Sequence, residues 1–248
     1  MKKAVIISLI VAIPLSALLI YFVANSLNDS KDATTSNNSQ QEMSSARDTP
    51  VTVDATALEY YYEIGLGSEF GGGSAAAKKW MKPSISVSVD GTYNQNGVTC
   101  VDQTIADFND ISKETKLQRA ESSSDITIQF APEPTFSSLL KEYVPRNMGY
   151  FWTRADASGA LNNATILIDT ASINDTERCH LIREELTQSL GLMNDSDKHA
   201  DSMFYIDWTY TTQYSELDKQ IISILYGGNG IEPGMGRAEI EKLFERDF

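Results

Sequence analysis

The chain has 248 residues, with 34 Asp and Glu against 20 Lys and Arg and a formal net charge of −14. That balance excludes a sequence-independent grip on phosphate backbones, which needs clustered positive charge, so no nucleic-acid partner is expected. The two cysteines, Cys100 and Cys179, are far apart and lack Cys-x-x-Cys spacing. This argues against a thiolate metal centre and leaves either one disulfide or two buried thiols.

The N-terminus bears on that choice. Lys2 and Lys3 precede an uncharged apolar stretch from Ala4 to Ala24, long enough to cross a bilayer at about 1.5 Å per helical residue. The lysines hold the N-terminus inside, so an uncleaved anchor and a cleaved signal peptide both export the remainder of the chain. An oxidising compartment favours the disulfide. Residues 25–50 are rich in Ser, Asn, Asp and Thr and bury too little apolar surface to offset ordering entropy, which makes them a tether. A lead-in spans 51–79. Its apolar run from Ala57 to Leu66 has no decisive period, and its glycine-rich loop from Gly65 to Gly73 lacks the Lys-Ser/Thr ending of a phosphate-binding loop.

Residues 80–248 form the expected folded domain. Ile85, Val87 and Val89 alternate with Ser84, Ser86 and Ser88, the period-two pattern of a strand, ended by Asp90-Gly91. A helix starts near Cys100 and runs to Lys116, with Ile105, Phe108 and Ile111 at helical spacing. Ile126, Ile128 and Phe130 mark a second strand that Pro132 and Pro134 terminate. Tyr150–Trp152 suits a short edge strand and Ala164–Asp169 a further strand, with Asn162-Asn163 as the turn before it. A helix from Glu177 to Leu192 carries the stripe Ile182, Leu186 and Leu190 and is halted by Gly191. After an acidic loop from Asp195 to Asp201 comes a helix from Glu216 to Tyr226, stopped by Gly227-Gly228. This order is α+β, without an internal repeat.

The segment Arg183-Glu-Glu-Leu-Thr-Gln-Ser-Leu-Gly-Leu192, preceded by Cys179-His180, resembles the active-site helix of metzincin metalloproteases. Among these it is most similar to the matrixins, whose form is His-Glu-Leu-x-His-x-Leu-Gly-Leu. The segment resembles most closely an uncharacterised bacterial domain family of unknown function with a Glu-Glu-Leu-Thr-Gln-x-Leu-Gly core after an aromatic and glycine-rich lead-in. The flanks extend the resemblance. Trp80–Asp90 looks like the first strand of such a domain, Ile105–Leu117 like its first helix, and Ser124–Phe130 like the next strand. Met203, in Ser202-Met203-Phe204-Tyr205, looks like the methionine turn, and Ser215–Gly227 like the C-terminal helix. The resemblance implies a zincin-like, metzincin-type α+β fold, a mixed sheet with an active-site helix and a C-terminal helix. It also places Cys100 and Cys179 before helices that pack side by side.

In this alignment Glu185 stands at the catalytic glutamate, and Glu184, Gln188 and Asn194 stand where the three zinc ligands would be. A catalytic zinc of this type needs two imidazoles one helical turn apart, a third ligand and an open position for water. A carboxylate and two amides supply none of the imidazoles, so no cofactor is expected and Glu185 lacks a polarised water to deprotonate. A hard divalent cation bound by oxygens of Glu184, Gln188, Asp195, Asp197 and Asp201 is the alternative. His180 lies four residues before Glu184 and suits either a ligand pair with it or a polar helix-start position beside the disulfide. His199 is a candidate third ligand or an exposed loop residue. Glu184, Glu185 and Gln188 are otherwise a solvated helix face, or partly buried with Arg183 as their partner.

The expected function is an exported module in the bacterial cell envelope, tethered to the inner membrane through its N-terminal helix. It is expected to be catalytically inactive and to bind an extended polypeptide or another envelope component. In the zincin fold an edge strand over the active-site helix pairs with extended substrate, and Asn162–Asp169 is where that strand is sought. Two alternatives stand beside this reading: an active metal-dependent peptidase with Glu185 as general base, and a passive structural envelope protein.

Overall fold

The structure, a computed structural model, describes residues 53–67 and 75–244. The expected membrane-targeting segment, the tether and most of the glycine-rich loop lie outside the described residues. Among the described residues no helix is long and apolar enough to cross a membrane.

The apolar run of the lead-in forms helix α1, Ala55–Gly65, capped by Asp54, whose side chain accepts from the Thr56 N–H. The sheet then assembles from β1 (Lys79–Trp80), β2 (Ser84–Gly91), β3 (Lys116–Arg119), β4 (Ile126–Ala131), β5 (Gly149–Ala155) and β6 (Ala160–Asp169). Its order is β1-β6-β4-β2-β3, all parallel, with β5 added antiparallel to β6. Parallel strands must be covered on both faces, and alternation along β6 supplies both. Ile166 and Ile168 enter the main core, while Leu167 joins Ala131, Phe136, Tyr143 and Tyr150 in a second apolar cluster. The main core is closed by α2 (Gln95–Ile111), α4 (Asp175–Gln188) and α5 (Glu216–Tyr226); α3 (Phe136–Leu139) serves the second cluster. The fold is a mixed α/β arrangement, and the short C-terminal helix α6, Arg237–Phe244, has no counterpart among the elements expected from the sequence.

Several boundaries differ from expectation for local reasons. Helix α2 begins at Gln95, not near Cys100, because the Asn94 side chain caps it by accepting from the Gly97 N–H. It stops at Ile111, where Ser112 turns extended, and Lys116–Arg119 pairs with β2 as a strand of its own. Asn162-Asn163 is not a turn but the interior of β6. The turn lies earlier, where the Asp156 carboxylate accepts from the N–H groups of Ser158 and Ala160, and Gly159 takes a φ of +91°. The expected edge strand is also displaced: β4 pairs with Ala164–Asp169 and β5 with Ala164–Ile168 from the other side, so this stretch of β6 is interior and not an edge. The edge belongs to β5.

Helix α4 is fixed at both ends. A capping box joins Asn174 and Glu177 at its start. At its end the Trp80 indole donates to the Ser189 carbonyl at 3.0 Å and the Tyr226 hydroxyl donates to the Leu190 carbonyl at 2.6 Å. Gly191 then turns the chain at φ +113°, where a Cβ would meet the Lys78 carbonyl oxygen at 2.1 Å. The disulfide expected from the cysteine count is formed: Cys100 and Cys179 are joined across α2 and α4, inside the helices rather than before them, with Cα atoms 5.6 Å apart.

Candidate functional site

One face of α4 borders a cleft of about 550 Å³ whose other walls are the approach to β5 and the loops after α4. Leu181, Glu184, Glu185 and Gln188 come from the helix, Asn194 and Asp195 from the loop, Arg146 to Tyr150 from the β5 side, and Ile206 and Trp208 from the far rim. The structure thus brings together Glu184, Glu185, Gln188 and Asn194, the four residues singled out by the motif. They are not a solvated face: Glu185 is 7% exposed and Gln188 2%.

Glu185 lies directly under β5. A Cβ on Gly149 would come within 2.5 Å of its Oε1 and 3.0 Å of Leu181 Cδ2, so any larger residue there would make Glu185 and Leu181 shift. Gln188 is bound within the protein, its amide donating to Asp195 Oδ1 at 2.7 Å. Burial pushes the Asp195 carboxyl up to about 6, partly offset by that hydrogen bond. Asn194 braces the lead-in: its side-chain amide donates to the Glu63 carbonyl at 3.1 Å and its backbone N–H to that of Ile64 at 3.1 Å.

His180 is buried, and its Nδ1 donates to the Thr211 carbonyl at 2.7 Å, which turns Nε2 toward Glu184 Oε2, 3.4 Å away. Burial holds the imidazole below its ordinary pKa, against the raising effect of the Thr211 bond. His199 is elsewhere, packed edge-on against the Tyr60 ring at 4.7 Å. Arg183 also faces away from the cleft. It reaches α2, with Nη2 2.7 Å from Asp107 Oδ2 and its guanidinium 4.6 Å above the Tyr214 ring, so it is not the partner of the cleft carboxylates.

Met203 is fully buried, and its N–H donates to Asp218 Oδ2 at 3.0 Å. The Ser202 hydroxyl donates to Asp218 Oδ1 at 2.6 Å and accepts from the Tyr60 hydroxyl at 2.7 Å, tying α1 to this floor. Burial pushes the Asp218 carboxyl up, and the hydrogen bonds from Ser202, Met203 and Ser215 oppose it.

The family model described as "Protein of unknown function (DUF2927)" matches residues 54–246. The chain belongs to the DUF2927 family. No curated protein matches it. Two solved structures of myroilysin are similar to it, each at 14% identity and a TM-score of 0.43; one match covers 60% of this chain and 95% of that one, the other 66% and 92%.

The donor set of this DUF2927 domain does not fit the zinc site that the sequence resemblance implies. Neutral amides stand at two ligand positions, and both amides already donate within the protein. Among the described residues no group of three His, Cys, Asp or Glu side chains could hold a metal ion. The His180–Glu184 pair offers two donors, and Asp197 and Asp201 do not line the cleft. What the cleft does offer is three carboxylates, three amides and an apolar rim, with Ile206 63% and Trp208 47% exposed.

The short edge strand read at Tyr150–Trp152 is present within β5, but sequence reasoning did not place it at the wall of the site, and it missed the rim. The wall is distant in sequence from the motif and becomes part of the site only through strand pairing. Two local signals exist: a glycine just before the aromatic run Tyr150–Trp152, and Ile206, Trp208 and Tyr210 alternating in a segment that, among the described residues, belongs to no strand.

Proposed function

We propose that this protein is an exported, membrane-tethered zincin-like domain that has kept the cleft of a peptidase as a binding surface and engages an extended polypeptide without hydrolysing it. The observation that carries the reading is the open edge of β5 along the cleft. Among the described residues β5 pairs only with β6. The Met148 carbonyl accepts from the Asp169 N–H, so residues 148, 150 and 152 aim their backbone groups at β6. Antiparallel alternation then turns those of Gly149, Phe151 and Thr153 outward. An added strand would satisfy these groups and lay its side chains over the cleft. The α+β order, with one antiparallel edge strand above the helix that carries Glu184–Gln188, supports the zincin-like reading. The apolar N-terminal stretch and the disulfide support export.

The test is amide hydrogen exchange on the full-length protein with a panel of extended peptides. Peptide binding is expected to slow exchange at Gly149, Phe151 and Thr153. Near-stoichiometric bound metal after dialysis, lost in Glu184→Ala plus Gln188→Ala and accompanied by chelator-sensitive peptide cleavage, would overturn the non-catalytic reading.

A further inference from the structure

The slot beside Gly149 decides what kind of side chain an added strand can present. Residues directly opposite on neighbouring strands place their side chains on the same face, about 5 Å apart. At Gly149 that face points at α4, since its absent Cβ would sit against Glu185 and Leu181. A ligand residue opposite Gly149 therefore lowers its side chain past a position that has none, into the space walled by Glu184, Glu185, Gln188 and Asp195. Three of those four side chains are carboxyls, and Arg146 is the one basic residue among the residues lining the cleft. The rim adds Ile206 and Trp208, both exposed. Apolar rims suit the methylene stem of a long basic side chain, and an indole face attracts its cationic head.

Resting on the strand-addition reading above, we propose that the cleft is a recognition pocket for a lysine or arginine side chain, carried by an extended polypeptide at the position that pairs opposite Gly149. The recognised class is thus a basic extended peptide, and the protein's net charge of −14 draws such segments toward it. Electrostatic complementarity of this kind acts mainly through specificity.

The test keeps the full-length protein unchanged and varies the ligand. Acetylated, amidated eight-residue peptides with a fixed Thr/Val/Ser background carry Lys, Arg, citrulline, norleucine or Glu at one central position, and binding is measured by calorimetry with amide exchange at β5 as a second readout. The expected result is at least tenfold tighter binding of the Lys and Arg peptides than of the citrulline and norleucine peptides, with the Glu peptide weakest. That preference is expected to shrink below threefold in Glu184→Gln plus Asp195→Asn. Equal binding of all five peptides with slowed exchange at Gly149 and Phe151 overturns the basic-residue inference and leaves strand addition standing. No binding of any peptide overturns both. A preference that survives the double substitution places recognition outside the cleft and also overturns the inference.

Discussion

Two aspartates, one lining the cleft and one outside it, are both pushed up by burial and arranged to opposite ends. Asp218, in the fully buried floor, accepts from the Ser202 hydroxyl and from the N–H groups of Met203 and Ser215. Asp195, in the cleft, accepts from the Gln188 amide. A carboxylate can accept about four hydrogen bonds, so the floor acid is close to saturated and the cleft acid is not. The difference separates structural polarity from functional polarity: saturated groups fix a shape, while acceptor capacity left in a cleft is available to something that enters it. The same contrast holds between the fully buried Met203 and the exposed Ile206 and Trp208.

The largest expected effect lies in the frame that floor and cleft share. Replacing Cys100 and Cys179 by serine opens a closure spanning a sequence separation of 79, at a cost of about 4 kcal/mol on the chain-entropy account. Chemical denaturation under oxidising and reducing conditions measures it, and the serine variant is expected to match the reduced wild type. Next comes the floor. Asp218→Ala strands the Ser202 hydroxyl and the Met203 and Ser215 N–H groups in a fully buried site, costing about 3 kcal/mol and lowering the thermal midpoint by about 10 °C. A smaller loss would show that the floor is less saturated than its geometry implies.

The cleft responds with the opposite sign. An acid whose folded pKa lies above its unfolded value contributes stability that is complete below the unfolded pKa and is lost as pH rises through the folded one. For Asp195 that window runs from its ordinary value near 3.8 to about 6. Asp195→Asn is therefore expected to stabilise the protein by about 1 to 2 kcal/mol at pH 7.5, with the gain vanishing near pH 4. Denaturant midpoints across that range check it. The smallest effect on folding is expected from Thr153→Pro. It removes an outward N–H that no sheet bond uses and should change stability by less than about 1 kcal/mol, while reducing peptide affinity at least tenfold. Loss of folding in this variant would mean that the Thr153 N–H faces β6 instead.

Much of the fold is legible in the sequence where periodicity and local chemistry coincide. Ile126, Ile128 and Phe130 lie in β4, and Glu216 to Tyr226 forms α5 with the residues read for it. The disulfide is foreseeable from two cysteines in a chain expected to be exported. Tertiary pairing hides the rest. Asn162-Asn163 has turn chemistry, yet pairing of Asn163 with Arg154 and of the flanking residues with β1 and β4 holds it extended. Lys116 continues a helical run in sequence but belongs to a strand, because β2 offers Lys116–Arg119 a parallel edge. The motif residues are visible as a contiguous string. Their companions Arg146 to Tyr150 and Trp208 are not, because a site wall made by an edge strand and a distant loop has no contiguous signature.

The bond from Tyr60 to Ser202 links the first described helix to the cage around Asp218. In mechanical terms it is a rivet: α1, the Met203 segment and α5 meet at one hydroxyl, so a helix near the start of the described chain is fastened to residues 142 positions further on and not merely laid against them.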